Sequence, residues 1–200
     1  MDKRSQFEDL SKSAVARCSR QGDNYVNVTL QMMHTPENIG YFIEKLRDST
    51  LTDIGGGVAG YFTLEQLMKG LRADLRDEPE TPVIGIDKGI VVDPFNEPHH
   101  FGEDRIRVVK QDALSYLLSQ NANSSNIMTN GIDDSILPYG DPVIAKYVKE
   151  VANEIYRVVP EGGIYVSNNS GPIEREVSKL FKKISEFGRP WFKPVKTFEK

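Results

Sequence analysis

From Thr35 onward the chain alternates short apolar runs with longer stretches of helical periodicity, and this alternation restricts the fold more than any other feature. Strand-like runs occupy residues 51–54, 83–86, 105–109, 125–130, 164–167 and 191–198. Between them, apolar residues recur at helical spacing. The sets are Ile39, Phe42, Ile43 and Leu46; Leu64, Leu67, Met68 and Leu71 within 61–75; a short helix over 111–118; Ile144, Tyr147, Val148, Val151, Ile155 and Val158; and Ile173, Val177, Leu180, Phe181 and Ile184. Thr35-Pro36 and Asp141-Pro142 read as helix starts, a capping side chain followed by proline at the first helical position. Parallel strands need a crossover, so this alternation predicts βαβ units. The expected fold is α/β: a doubly wound, mostly parallel sheet with helices on both faces.

Residues 1–34 read as an N-terminal helical extension, with Phe7, Leu10, Ala14 and Val15 loosely helical in spacing, and 35–200 as the main domain. Apolar residues make up 38% of the chain, and no run approaches the roughly 18 residues of a membrane span. A single cysteine, Cys18, leaves no internal disulfide, so a reducing, cytoplasmic setting without membrane attachment is expected. The net charge of -4 disfavours a general nucleic-acid binder. Lys179, Lys182, Lys183, Arg189, Lys193, Lys196 and Lys200 make the C-terminal segment basic, which reads first as a solvated face.

The chemistry-bearing signal is Gly55-Gly56-Gly57-Val58-Ala59-Gly60, between a strand and a helix. Glycines there let backbone N–H groups approach a ligand closely. Asp53 stands two residues before the first glycine, and Asp87 ends the run 83–86. A carboxylate at a strand end suits two adjacent hydroxyls, since each oxygen can accept one hydrogen bond.

In this order the motifs resemble those of the class I S-adenosylmethionine-dependent methyltransferases, over about residues 35–200. The family's acidic-x-Gly-x-Gly-x-Gly is similar to Asp53-Ile54-Gly55-Gly56-Gly57-Val58-Ala59, with Ala59 in place of the last glycine and Gly60 just after. The resemblance implies a Rossmann-like fold binding S-adenosyl-L-methionine. Asp53, Gly55 and Gly57 would lie at its methionine part, Asp87 and Lys88 at the ribose, and Asp112 and Ala113 at the adenine. It also places Asn130 beside the cofactor, and Asn130 and Asp133 at the reacting face after the fourth strand. A small-molecule or protein acceptor is favoured over nucleic acid, because Thr129-Asn130-Gly131-Ile132 lacks the Asn/Asp-Pro-Pro-aromatic signature of base amino-methylating enzymes.

Three departures stand beside the resemblance. The interval from the glycine turn to Asp87 is long, residues 89–104 look inserted, and one strand is visible where the family ends in an antiparallel pair. Two other readings stay open: a non-catalytic binding or scaffold protein of this fold, and an NAD(P)-dependent oxidoreductase, since Gly55 to Gly60 also fits Gly-x-Gly-x-x-Gly. Asp112 also reads as a helix cap, and Asp133-Asp134 and His99-His100 as polar loops; no metal site is expected.

Overall fold

The computed structural model describes residues 3–16, 33–70, 83–95, 102–129, 140–167, 171–188 and 195–200. In chain order the elements are α1 (Lys3–Val15), α2 (Pro36–Leu46), β1 (Thr50–Ile54), α3 (Gly57–Lys69), β2 (Lys88–Val92), β3 (Ile106–Val109), α4 (Ala113–Ser119), β4 (Asn126–Thr129), α5 (Pro142–Val158), β5 (Ile164–Ser167), α6 (Pro172–Val177), β6 (Lys183–Phe187) and β7 (Val195–Glu199). Among the described residues, seven strands form one sheet in the order β3-β2-β1-β4-β5-β7-β6. The strands from β3 to β5 are parallel, while β7 runs antiparallel to both β5 and β6. The fold is thus the Rossmann-like α/β arrangement expected from the alternation.

Side chains of successive strand residues point to opposite faces, and each face has its own core. Leu51, Val91, Met128, Ile164 and Val166 pack with Phe42 and Leu46 of α2 and Tyr61, Leu64 and Leu67 of α3. Ile54, Val92, Ile127 and Tyr165 pack with α4, α5 and α6 on the other face. Helix α5 presents Ile144, Tyr147, Val148, Val151, Ile155 and Val158 to that core, the predicted stripe. Burying each such side chain contributes about 1.5–3 kcal/mol. Helix α1 lies against α4 and α5 and buries Leu10 and Ala14 in the same core.

Three expectations are corrected. Residues 83–86 do not form the second strand, which lies five residues later at Lys88–Val92. Gly85 adopts φ +78°, donates its N–H to the Leu67 carbonyl at 2.7 Å and accepts the Asp48 N–H at 2.9 Å. The run is therefore tied to the end of α3 and to the turn before β1, with Ile84 and Ile86 buried in the α2–α3 core. Helix α3 starts within the glycine turn, at Gly57 rather than residue 61, and ends at Lys69; the expected continuation to residue 75 lies outside the described residues. The final helix stops at Val177, and 183–187 is a strand, so the antiparallel pair expected to be missing is present as β6 and β7.

The amino edge of the sheet is sealed by side chains. Asn126 Nδ2 donates to Ser49 Oγ at 3.0 Å while its Oδ1 accepts the Ile164 N–H at 2.8 Å. Ser125 Oγ lies 2.9 Å from Thr52 Oγ1. Strands β1, β4 and β5 are thereby locked in register at the edge where they begin.

Candidate cofactor-binding edge

In open α/β sheets, ligands bind outside the carboxyl ends of the strands, where the strand order reverses. Here the chain steps from β1 to β2 to β3 and then returns to β4 on the other side of β1, so the switch falls between β1 and β4. At that edge Gly55 donates its N–H to the Val92 carbonyl at 2.8 Å, and Asp93 donates to the Val109 carbonyl at 3.1 Å. These bonds extend the register Ile54↔Val92↔Val109 by one step and bring the glycine turn, Asp93 and the segment after β3 side by side.

The four glycines have two separate reasons to be glycine. Gly55 (φ +84°) and Gly57 (φ +56°) lie in the left-handed region, where a Cβ is strained. Gly56 and Gly60 pack on the Asp53 carboxylate: a Cβ at Gly60 would come within 2.5 Å of Asp53 Oδ2, and one at Gly56 would collide with it outright. Asp53 is 0% exposed, on the β1 face that carries α3. Its carboxyl group thus lies below the start of α3, where the helix macrodipole favours negative charge.

Asp87 and Lys88 stand at the beginning of β2, with Asp87 N–H donating to the Ser49 carbonyl at 2.9 Å. That is the amino edge, at the opposite end of the strands from the glycine turn, because the strand lies five residues later than expected. The acidic residue that does follow β2 is Asp93, which the sequence reading passed over. It is buried to 7% exposure, and its Oδ1 accepts the Phe95 N–H at 2.7 Å, closing a turn through Pro94. The signal was in the sequence: Gly89-Ile90-Val91-Val92-Asp93-Pro94 is an apolar run ending in an acid and a turn-forming proline.

Asp112 caps α4, its Oδ1 accepting the Ser115 N–H at 3.0 Å. Ala113 is buried in the core that α4 shares with α5 and α6. On the far side of the switch, Thr129 at the end of β4 holds its Oγ1 2.7 Å from Tyr165 Oη. Asn130, Asp133, Asp134, His99, His100 and Cys18 lie outside the described residues. Of the basic C-terminal residues, Lys179 pairs with Glu176 at 2.5 Å and Lys196 with Glu174 at 2.8 Å, while Lys200 lies 3.8 Å from Glu161. Among the described residues, no three His, Cys, Asp or Glu side chains are grouped to hold a metal ion. None of the described helices is long and apolar enough to cross a membrane.

The glycine turn at the start of α3, a buried carboxylate after β2 and the switch point thus meet at one edge of a Rossmann-like domain. No protein-family model matches the sequence, and a search of curated proteins finds no significant match. Solved structures similar to the chain include a spermidine synthase from Thermotoga maritima (14% identity, 99% of this chain and 59% of that one, TM-score 0.46). Others are the N-methyltransferase NodS from Bradyrhizobium japonicum WM9 (13% identity, 98% and 92%, TM-score 0.45) and an rRNA methylase from Streptococcus thermophilus (11% identity, 82% and 96%, TM-score 0.46). The chain spans 59% of the length of the spermidine synthase it matches.

Proposed function

We propose that the chain binds S-adenosyl-L-methionine at the carboxyl edge of β1 and β2 and directs transfer of its methyl group to an acceptor beyond β4. The observation that carries this reading is the burial of Asp53 beneath the first turn of α3. A dinucleotide would bring its anionic pyrophosphate to that helix start, against a carboxylate of like charge. S-adenosylmethionine has no phosphate; its methionine part brings one carboxylate together with an ammonium and a sulfonium, so it meets no such net repulsion.

The donor set fits the rest of the cofactor. The carboxylate of Asp93 offers acceptor capacity to the ribose hydroxyls, taking the role first expected of Asp87 and Lys88. The turn suits the carboxylate of the methionine part: the backbone N–H at Gly57 would meet it, while Gly55, whose N–H is held by the Val92 carbonyl, would border it through its bare Cα. Asp112 and Ala113 would border the adenine, chiefly through backbone. When bound, the cofactor supplies an already activated methyl group, so the acceptor site needs no strong base. The chain's task is then to align the acceptor and exclude water. Asn130 and Asp133, which follow β4 in sequence, are the residues proposed to meet the acceptor, with a small molecule or protein favoured.

Calorimetric titration of the full chain with S-adenosylhomocysteine, beside NAD, tests the reading. Micromolar binding of the first and none of the second is expected. Binding of NAD alone favours the oxidoreductase; binding of neither at millimolar ligand favours a non-catalytic relative of the fold.

A further inference from the structure

We propose that Asp53 is a positioning residue that shapes the glycine turn from beneath, rather than a contact of the cofactor. The inference rests on the reading of this edge as a cofactor site, but it departs from the direct contact that the sequence resemblance implies. Three observations support it. The side chain is 0% exposed, so its carboxylate lies wholly within the fold. Its Oδ2 fills the space that Cβ atoms at both Gly56 and Gly60 would need. Those glycines flank Gly57, whose φ of +56° turns the chain into α3, and the Gly60 N–H closes the first helical bond onto the Gly56 carbonyl at 2.7 Å.

The carboxylate and the two bare Cα atoms are thus one packing unit, one turn of helix deep. A buried acid on a strand sets the height and tilt of the helix start, and through it the direction of the N–H group offered at Gly57. Glycine at 56 and 60 follows from the acid, while glycine at 55 and 57 follows from the backbone angles.

The test exchanges the two sides of that contact. Gly60→Ala, Asp53→Ala and the double variant are compared by thermal melting and by S-adenosylhomocysteine titration. Gly60→Ala should lower Tm and weaken binding by about tenfold or more, as loss of supporting contacts does at other ligand sites. In the double variant the new methyl occupies the room that the carboxylate vacates. Its Tm loss should be smaller than the sum of the single losses, and it should bind more tightly than Gly60→Ala alone. Additive Tm losses, or a double variant that binds no better than Gly60→Ala, overturn the proposal. If the wild type does not bind S-adenosylhomocysteine, the cofactor reading falls. The melting cycle alone then decides whether Asp53 supports the turn: a non-additive cycle upholds it and an additive one refutes it.

Discussion

Lys69 Nζ stands 2.9 Å from Glu103 Oε2, joining the last turn of α3 to the segment that leads into β3. Arg105 Nε lies 3.0 Å from the other oxygen, and the Glu103 N–H donates to Tyr61 Oη at 2.8 Å. Arg105 first, and Lys69 second, hold the Glu103 carboxyl down at about 2, against its ordinary 4.5. A carboxyl depressed in the folded state contributes stability that is present above its unfolded pKa and disappears as pH falls through the folded one. The melting temperature should therefore decline as pH drops from 4.5 toward 2, with Glu103→Gln showing a shallower decline over that window. Both cations are about half-exposed, so added salt should reduce the difference. Parallel pH curves for the two proteins would show that this cluster contributes nothing.

Exchange of the acidic residue at each end of β2 separates the two edges of the sheet. Asp93→Ala should weaken S-adenosylhomocysteine binding about tenfold or more, the loss expected when a charged hydrogen bond of about 1.5–3 kcal/mol is removed. Asp87→Ala, at the amino edge, should leave binding unchanged. Titration of the two variants side by side checks the assignment, and the reverse pattern would restore Asp87 to the site.

Tyr165 Oη lies 2.7 Å from Thr129 Oγ1, joining β5 to the end of β4. Tyr165→Phe leaves the aromatic packing on Phe198, with ring centroids 5.4 Å apart, in place. Loss of the hydroxyl should then cost about 1 kcal/mol, a fall in Tm of about 2–4 °C for a chain of this size. Thermal melting with the Phe variant measures it directly. A Tm equal to that of the wild type would mean that the bond adds nothing.

Arg157 on α5 donates from Nη1 to the Gln120 carbonyl at 2.9 Å and from Nη2 to the Leu117 carbonyl at 2.7 Å. One guanidinium thus satisfies two carbonyls at the C-terminal end of α4, with Glu154 Oε2 holding its Nε at 2.6 Å. Arg157→Lys keeps the charge but loses the fork. It should recover little of the roughly 1.5–3 kcal/mol that Arg157→Ala costs. Denaturant unfolding of the two variants decides the matter; full recovery by lysine would reduce the interaction to charge alone.

The elements easiest to read were those whose local signals agreed with their tertiary setting. Helix α5 had its stripe and its cap: Asp141 Oδ1 accepts the Val143 N–H at 2.8 Å. Strands β1 and β5 were short strand-like runs with a turn at each boundary. The second strand was obscured because Val83-Ile84-Gly85-Ile86 and Gly89-Ile90-Val91-Val92 are two similar apolar runs in succession. Composition cannot say which will find a sheet neighbour, and misreading it moved the acidic residue to the wrong end of the strand. Strand β6 was hidden by helical spacing that carries past Val177 to Ile184. As an edge strand, β6 mixes polar and charged residues with apolar ones, a sequence pattern common to sheet edges and to the outer face of a helix. Asp112 illustrates a limit of another kind: the same side chain suits a helix cap and a ligand contact, and only coordinates reveal the bond to Ser115.

The seal formed by Ser49, Ser125 and Asn126 at the amino edge separates what keeps the sheet in register from what meets a ligand. Loops at the carboxyl edge are thereby free to diverge, lengthen or be exchanged for others without a slip in strand alignment. That makes the domain a suitable recipient for grafted recognition loops. It also means that descendants of this chain could change their loops far faster than their architecture.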